Sequence, residues 1–230
     1  MIAGRVGALL RYPVKSMAGE EVAEVEVDAR GLAGDRAWAV RTEDGGLGSG
    51  KTTRRFRRVD GLLEWRAVLD GGAPVVQSPT GERCSVEDAA ARLSAAMGRP
   101  LGIEAETDVP HHDESRVHLL TTASLTSLGG LLGSPVDVAR FRPNVVLDVQ
   151  GDGFPEEEWV GRELALGDDV VLRLGPAMPR CVMVGLPQGH LGRDKTVLRT
   201  LAQERDLAFG LQASVVRGGT VRVGDPAYLR

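Results

Sequence analysis

Cysteine is scarce in this chain. Two in 230 residues cannot form a disulfide framework, and no positively charged start followed by an apolar run precedes the first strand-like segment. Secretion is therefore not expected, and the reducing cytoplasm is the expected home. No stretch approaches the roughly 18 consecutive apolar residues that span a bilayer, so no membrane role is expected. Aromatic residues are few, with four Phe, two Tyr and three Trp. Neither sign of charge dominates: the net charge of −4 argues against non-specific nucleic-acid binding. A basic run, Arg54, Arg55, Arg57 and Arg58, reads better as a solvated face than as an anion site. The four histidines, His111, His112, His118 and His190, lack the spacing of a zinc motif, and no Gly-x-Ser-x-Gly elbow anchors a hydrolase triad.

What the chain has instead is glycine, 30 residues of it, and many valines, which together predict short strands joined by tight turns. The fold class expected is mixed α/β and β-rich. Strand patterns run from Arg5 to Val14, Val22 to Val27 and Ala37 to Arg41. With turn signals at Asp44-Gly45-Gly46, Asp70-Gly71-Gly72 and Pro79-Thr80-Gly81, the first 80 or so residues read as a β-meander. Ser85 and Asp88 make a capping box for a helix stopped by Gly98 and Pro100. Further helices are expected from about Ser124 to Leu132 and from about Lys195 to Arg205, and strands at Val145–Leu147 and Val170–Leu174. A closing hairpin is expected between Ala213–Arg217 and Thr220–Val223 around Gly218-Gly219. The stretch from Gly98 to Pro110 is the expected boundary between a β-unit, 1–100, and a mixed unit, 101–230.

Gly45-Gly46-Leu47-Gly48-Ser49-Gly50-Lys51-Thr52 satisfies the P-loop expression. That motif works only where the loop joins a strand to a helix, whose N-terminus then faces the phosphates. The next segment here, Thr53 to Arg58, is highly charged and has no apolar face. A glycine-rich hairpin turn is the preferred reading, and a P-loop nucleotide binder the remote alternative.

More coherent is a dispersed set of groups suited to an anion: Lys15 and Ser16, Arg36, the helix start at Thr122 and Ser124, and Arg140-Phe141-Arg142-Pro143-Asn144. Taken singly, each also has a local role. Cys181, in Met178-Pro179-Arg180-Cys181-Val182-Met183, adds a thiol beside a guanidinium that favours its ionised form, compatible with soft-metal ligation, nucleophilic attack or burial.

With these motifs the sequence resembles the MOSC family, shared with the C-terminal part of molybdenum cofactor sulfurases and with the mitochondrial amidoxime-reducing component. Tyr12-Pro13-Val14-Lys15-Ser16 and Gly34-Asp35-Arg36 match its N-terminal β-barrel domain. Thr122-Ala123-Ser124-Leu125, Arg140-Phe141-Arg142-Pro143-Asn144, Phe154 to Trp159, Pro179-Arg180-Cys181 and Val221 to Pro226 match the MOSC domain. The resemblance implies an N-terminal β-barrel-like domain plus a C-terminal MOSC β-barrel with a few helices. It implies a molybdenum cofactor of the molybdopterin type, with no need for pyridoxal phosphate. Cys181 would be the metal ligand and catalytic centre, and Lys15, Ser16, Arg36, Thr122, Ser124, Arg140, Arg142, Asn144 and Arg180 would bind the cofactor.

The chain departs from the family's amidoxime reductases at Met178, Thr122, Gly185–Gly189 and the basic segment Lys51–Arg58. The activity implied is reduction of an N-hydroxylated or N-oxygenated small molecule. The sequence offers no ferredoxin-like cysteine set, no haem motif and no dinucleotide fingerprint, so the expected electron donor is a separate flavin, haem or iron-sulfur protein. Two alternatives stay open: a sulfur carrier using a Cys181 persulfide, and a protein that binds or delivers the cofactor without turnover.

Overall fold

The computed structural model describes residues 1–230. Three α-helices, α1 (Val86–Met97), α2 (Thr122–Leu132) and α3 (Lys195–Glu204), accompany many short strands, so the fold is mixed α/β and β-rich. Each helix begins where its sequence offers a cap. Ser85, Thr121 and Asp194 accept from backbone N–H groups of the first turn, and α1 and α2 stop at Gly98 and Gly133 in the left-handed conformation. No helix is long and apolar enough to cross a membrane.

Seven strands close a barrel. Around its wall run Val145–Asp148, Val117–Thr121, Ala208–Arg217, Val170–Pro179, Glu163–Leu166, Pro226–Leu229 and Ile2–Arg11, and the last returns to the first through Leu9↔Val145 and Arg5↔Asp148. Closure leaves no unpaired edge in the wall. The single parallel pair in it, Val117–Thr121 with Val145–Asp148, is bridged by α2, as a parallel connection requires. The barrel interior is a cluster of 20 buried residues, among them Val6, Leu9, Leu119, Leu147, Leu164, Leu172 and Leu211.

A second, open sheet orders Leu101–Ala105, Trp38–Thr42, Leu47–Ser49 and Phe56–Arg58, with Val14–Lys15 added in parallel to Trp38–Thr42. Its core of 11 buried residues includes Val14, Val40, Leu62, Trp65 and Val76, and takes Ala89 and Leu93 from α1.

The halves expected to divide near residue 100 exchange strands. Ile2–Arg11 belongs to the barrel, Glu24–Asp28 pairs with Gly219–Arg222, and Leu101–Ala105 pairs back onto Trp38–Thr42. The meander expected for the first 80 residues is therefore not formed as such. Nor is the closing hairpin. Ala208–Arg217 stays in the barrel, while Gly219–Arg222 crosses to Glu24–Asp28. The two glycines serve that crossing: a Cβ on Gly218 would meet the Val27 carbonyl oxygen at 2.4 Å, and Gly219 holds φ at 152° against Asp169.

The P-loop match is a hairpin. Trp38–Thr42 and Leu47–Ser49 are antiparallel, and the strand Phe56–Arg58 comes next, where a phosphate-binding loop needs a helix. Its glycines answer to packing: a Cβ on Gly48 would meet Val40 at 3.0 Å, and one on Gly50 would meet Leu186 and the Met183 sulfur at 2.5 and 2.6 Å. The remote nucleotide-binding alternative thus lacks its structural context.

Candidate cofactor site

Between the barrel mouth and the second sheet lies a crevice of about 180 Å³. The barrel contributes Cys181. The strand Val170–Pro179 ends at the lip, Arg180 N–H donates to the Leu207 carbonyl at 2.6 Å, and Cys181 comes next, half-buried, at the start of the short 3-10 turn Val182–Gly185. The Arg180 side chain turns back into the barrel. Its Nε donates to the Phe209 carbonyl at 2.9 Å and its Nη1 to the Phe141 carbonyl at 3.1 Å, and the Phe141 and Phe209 rings flank it. Nη2 meets His118 Nε2. Burial, and then the Arg180 charge, hold His118 well below the usual imidazole range, so it is neutral and accepts that bond.

Arg140, Arg142 and Asn144 descend from the 3-10 turn Val138–Phe141 and its exit. Arg140 donates to the carbonyls of Val184 at 3.3 Å and Gly192 at 3.0 Å, tying down the segment after Cys181. Asn144 ties two barrel strands and reaches the opposite wall: its Oδ1 accepts from His118 N–H at 3.1 Å and from Arg36 Nη1 at 3.5 Å, and its Nδ2 donates to the Leu10 carbonyl at 3.3 Å.

The opposite wall is Lys15, Ser16 and Arg36. Tyr12 lies beneath it, its ring faced by the guanidinium carbons of Arg142 at 4.2 Å and Arg36 at 4.9 Å. Arg36 pairs with Asp35, which is fully buried and also accepts Tyr12 N–H at 2.8 Å. Burial alone would raise that carboxyl, yet the Arg36 charge, His112 and the Tyr12 bond hold it at about 2. Ser16, Arg36 and Arg142 carry φ of 64°, 50° and 53°, three of the five non-glycine residues with positive φ in the chain. Backbone conformations that side chains resist are thus gathered at this crevice.

Six basic side chains, Lys15, Arg36, Lys51, Arg140, Arg142 and Arg180, line the crevice against two carboxylates, Asp113 and Glu114. Burial lowers Lys15 to about 8, Arg142 to about 10 and Arg180 to about 9, while Arg36, held by Asp35, is raised. All four remain cationic at neutral pH, and a bound anion would lower the cost of keeping them so. One donor is left over. Arg142 Nη1 reaches the Met17 carbonyl at 2.6 Å, but its Nη2 is buried without a partner. A buried guanidinium with a free donor beside a thiol suits a ligand that carries both an anionic group and a soft metal.

Of the predicted residues, Lys15, Ser16, Arg36, Arg140, Arg142, Asn144, Arg180 and Cys181 come together here. Thr122 and Ser124 do not. Thr122 donates towards Asp148 and the Val149 carbonyl, and Ser124 is fully buried, donating to Glu156 at 2.6 Å. The α2 N-terminus is thus already occupied by its Thr121 cap and the Glu156 carboxylate, which accepts from Thr121 at 2.8 Å. Sequence reasoning missed Lys51, Asp113 and His118. Only Lys51 carried a signal, as the lysine of the Gly-Lys-Thr match, attached there to the wrong architecture.

Two known sequence models match this chain. The sequence model described as the MOSC domain matches residues 106–228, and that of the MOSC N-terminal beta barrel domain matches residues 3–92. Mitochondrial amidoxime reducing component 2 of Rattus norvegicus is 28% identical, over 98% of this chain and 83% of its own length. Mitochondrial amidoxime-reducing component 1 of Homo sapiens is 26% identical with the same coverage, 98% and 83%. Molybdenum cofactor sulfurase of Oryza sativa subsp. japonica is 24% identical over 96% of this chain but 35% of itself. Among solved structures, the YuaD protein of Bacillus subtilis superposes with a TM-score of 0.51 over 98% of this chain and 94% of that one, at 11% identity, a likeness of fold.

Proposed function

This chain belongs to the MOSC domain family and carries the family's N-terminal beta barrel domain, and on that premise we propose that it is a molybdenum-cofactor-dependent oxidoreductase acting on N-hydroxylated or N-oxygenated small molecules. The observation that carries the reading is the unpartnered Arg142 Nη2, buried among basic groups in the crevice onto which Cys181 opens. Relatives named amidoxime-reducing components support the substrate class.

When bound, the cofactor supplies a two-electron centre at a metal already held by dithiolene sulfurs. The chain's part is to hold and orient it. Cys181 offers a soft thiolate ligand on a segment clamped by Arg140. Lys15, Ser16, Arg36 and Arg142 would face the cofactor's anionic part, Arg180 braces the Cys181 wall from within the barrel, and Asn144 accepts from Arg36 of the opposite wall at 3.5 Å. Across the reaction two electrons and two protons enter, the N–O bond breaks and one water leaves. Both cysteines are unpaired, and neither a cysteine cluster nor a haem motif is available to store electrons, so a separate redox protein delivers them. The proposed setting is the reducing cytoplasm, where both thiols stay free.

Molybdenum analysis of protein made in a cofactor-producing host tests this. Wild type is expected to hold the metal near one per chain, and Cys181→Ala to lose most of it. Wild type without molybdenum, or Cys181→Ala retaining it fully, removes the reading. The likeness to a molybdenum cofactor sulfurase favours one second reading, in which Cys181 carries a persulfide. Incubation with a sulfur donor and intact-mass measurement separates the two: a one-sulfur gain lost in Cys181→Ala supports the carrier.

A further inference from the structure

Lys51 and Asp113 stand in the crevice outside the set that faces the cofactor. Lys15 Nζ binds one oxygen of the Asp113 carboxylate, and Lys51 Nζ lies 3.1 Å from the other. Both ammonium groups also sit over the Phe56 ring, at 4.5 and 5.1 Å from its centre, with the Arg55 guanidinium at 5.4 Å from the same ring. The ring thus faces three cations, while the carboxylate serves two of them. A single negative charge between two ammoniums leaves the pair half-neutralised, and each carboxylate oxygen takes one cation, as two oxygens of a phosphate would.

Which partner can leave is set by burial and tethering. The Lys15 side chain is 6% exposed and Lys51 20%, whereas Asp113 is 32% exposed. Asp113 stands on the loop between the strands Leu101–Ala105 and Val117–Thr121. Lys51 is fixed from behind: it comes after the Leu47–Ser49 strand, whose Ser49 hydroxyl touches the Met183 sulfur at 3.9 Å, so the hairpin leans on the Cys181 segment.

We propose that Lys15 and Lys51 form a two-ammonium clamp for a phosphomonoester, and that Asp113 is a resident counterion which the phosphate displaces. Lys51 is then a ligand-binding residue, and Asp113 sets the affinity by competing for the same two cations. The clamp deepens the cofactor reading and rests on it, since it assigns the crevice end that takes the ligand's phosphate.

The test uses cofactor-free full-length protein, made in a host unable to synthesise the cofactor, and calorimetric titration with inorganic phosphate at low ionic strength. Asp113→Asn is expected to bind phosphate about tenfold more tightly than wild type, and Lys51→Gln about tenfold more weakly. Arg58→Gln, whose exposed partner Asp60 is outside the crevice, is expected to match wild type. Asp113→Asn binding no more tightly, or Lys51→Gln binding as wild type does, overturns the clamp. If Asp113→Asn fails to fold, Lys51→Gln decides. Molybdenum and pterin content of wild type from a producing host is read separately: its absence removes the cofactor reading and leaves the clamp to the phosphate result.

Discussion

Asp35 shows how one residue can hold the site and the fold at once. It is fully buried, paired with Arg36 and bonded to Tyr12 N–H, and its carboxyl lies at about 2 against an ordinary 3.8. Because the folded-state value is the lower one, the stability it contributes is complete above the unfolded value and is lost as pH falls from about 4 towards 2. That amounts to on the order of 2 kcal/mol. Asp35→Asn is expected to flatten this part of the acid-unfolding profile and, by leaving Arg36 buried without its counter-charge, to cost about 3 kcal/mol at neutral pH. Urea denaturation across pH 2–7 measures both, and an unchanged acid limb would show that Asp35 titrates as an exposed carboxylate. At this scale the site was largely legible, because Lys15, Arg36, Arg142 and Cys181 have chemistries that announce themselves. Ser124 stands apart from the crevice: a hydroxyl at a helix start serves a cap and a ligand equally well, and here it is bonded to the buried Glu156.

At the scale of elements, the helices were readable from their caps while the strand at the barrel mouth was not. Ala208–Arg217 carries Gly210 at φ 76°, where a Cβ would meet the Leu119 carbonyl oxygen at 2.6 Å and His118 Nε2 at 2.8 Å. Gly210→Ala is therefore expected to cost about 3 kcal/mol, from backbone strain and overpacking together. It would also loosen the Arg180–His118 contact next to Cys181, so molybdenum retention is expected to fall with stability. Ser85→Ala removes the α1 cap bond to Asp88 N–H, far from the crevice. It is expected to cost about 1 kcal/mol and to leave metal retention unchanged. Denaturation curves and metal content of the two variants check both, and equal retention in the two would disconnect Gly210 from the site. Nothing in the local pattern of Phe209-Gly210-Leu211 marks that glycine, since its conformation is imposed by the neighbouring strand.

At the scale of the whole molecule, local periodicity located segments but not their partners. The pairing of Ile2–Arg11 with Val145–Asp148 and Pro226–Leu229 joins positions remote in sequence, and no turn residue encodes it. Residues 101–230 made alone would lack this strand, leaving two barrel edges open and the core side chains Val6 and Leu9 absent. That fragment is expected to aggregate, and residues 1–100 supplied in the same cell to restore soluble barrel. Hydrogen exchange and solubility read the outcome, and a fragment folding alone with protected amides would deny the strand its role. The same strand sets an order in time. Ile2–Arg11 is synthesised before either of its barrel neighbours, Val145–Asp148 and, later still, Pro226–Leu229. Until Pro226–Leu229 has emerged, the hydrogen-bonding groups on that side of Ile2–Arg11 stay unpaired, so the barrel cannot close before then and the nascent chain is open to aggregation in the interval.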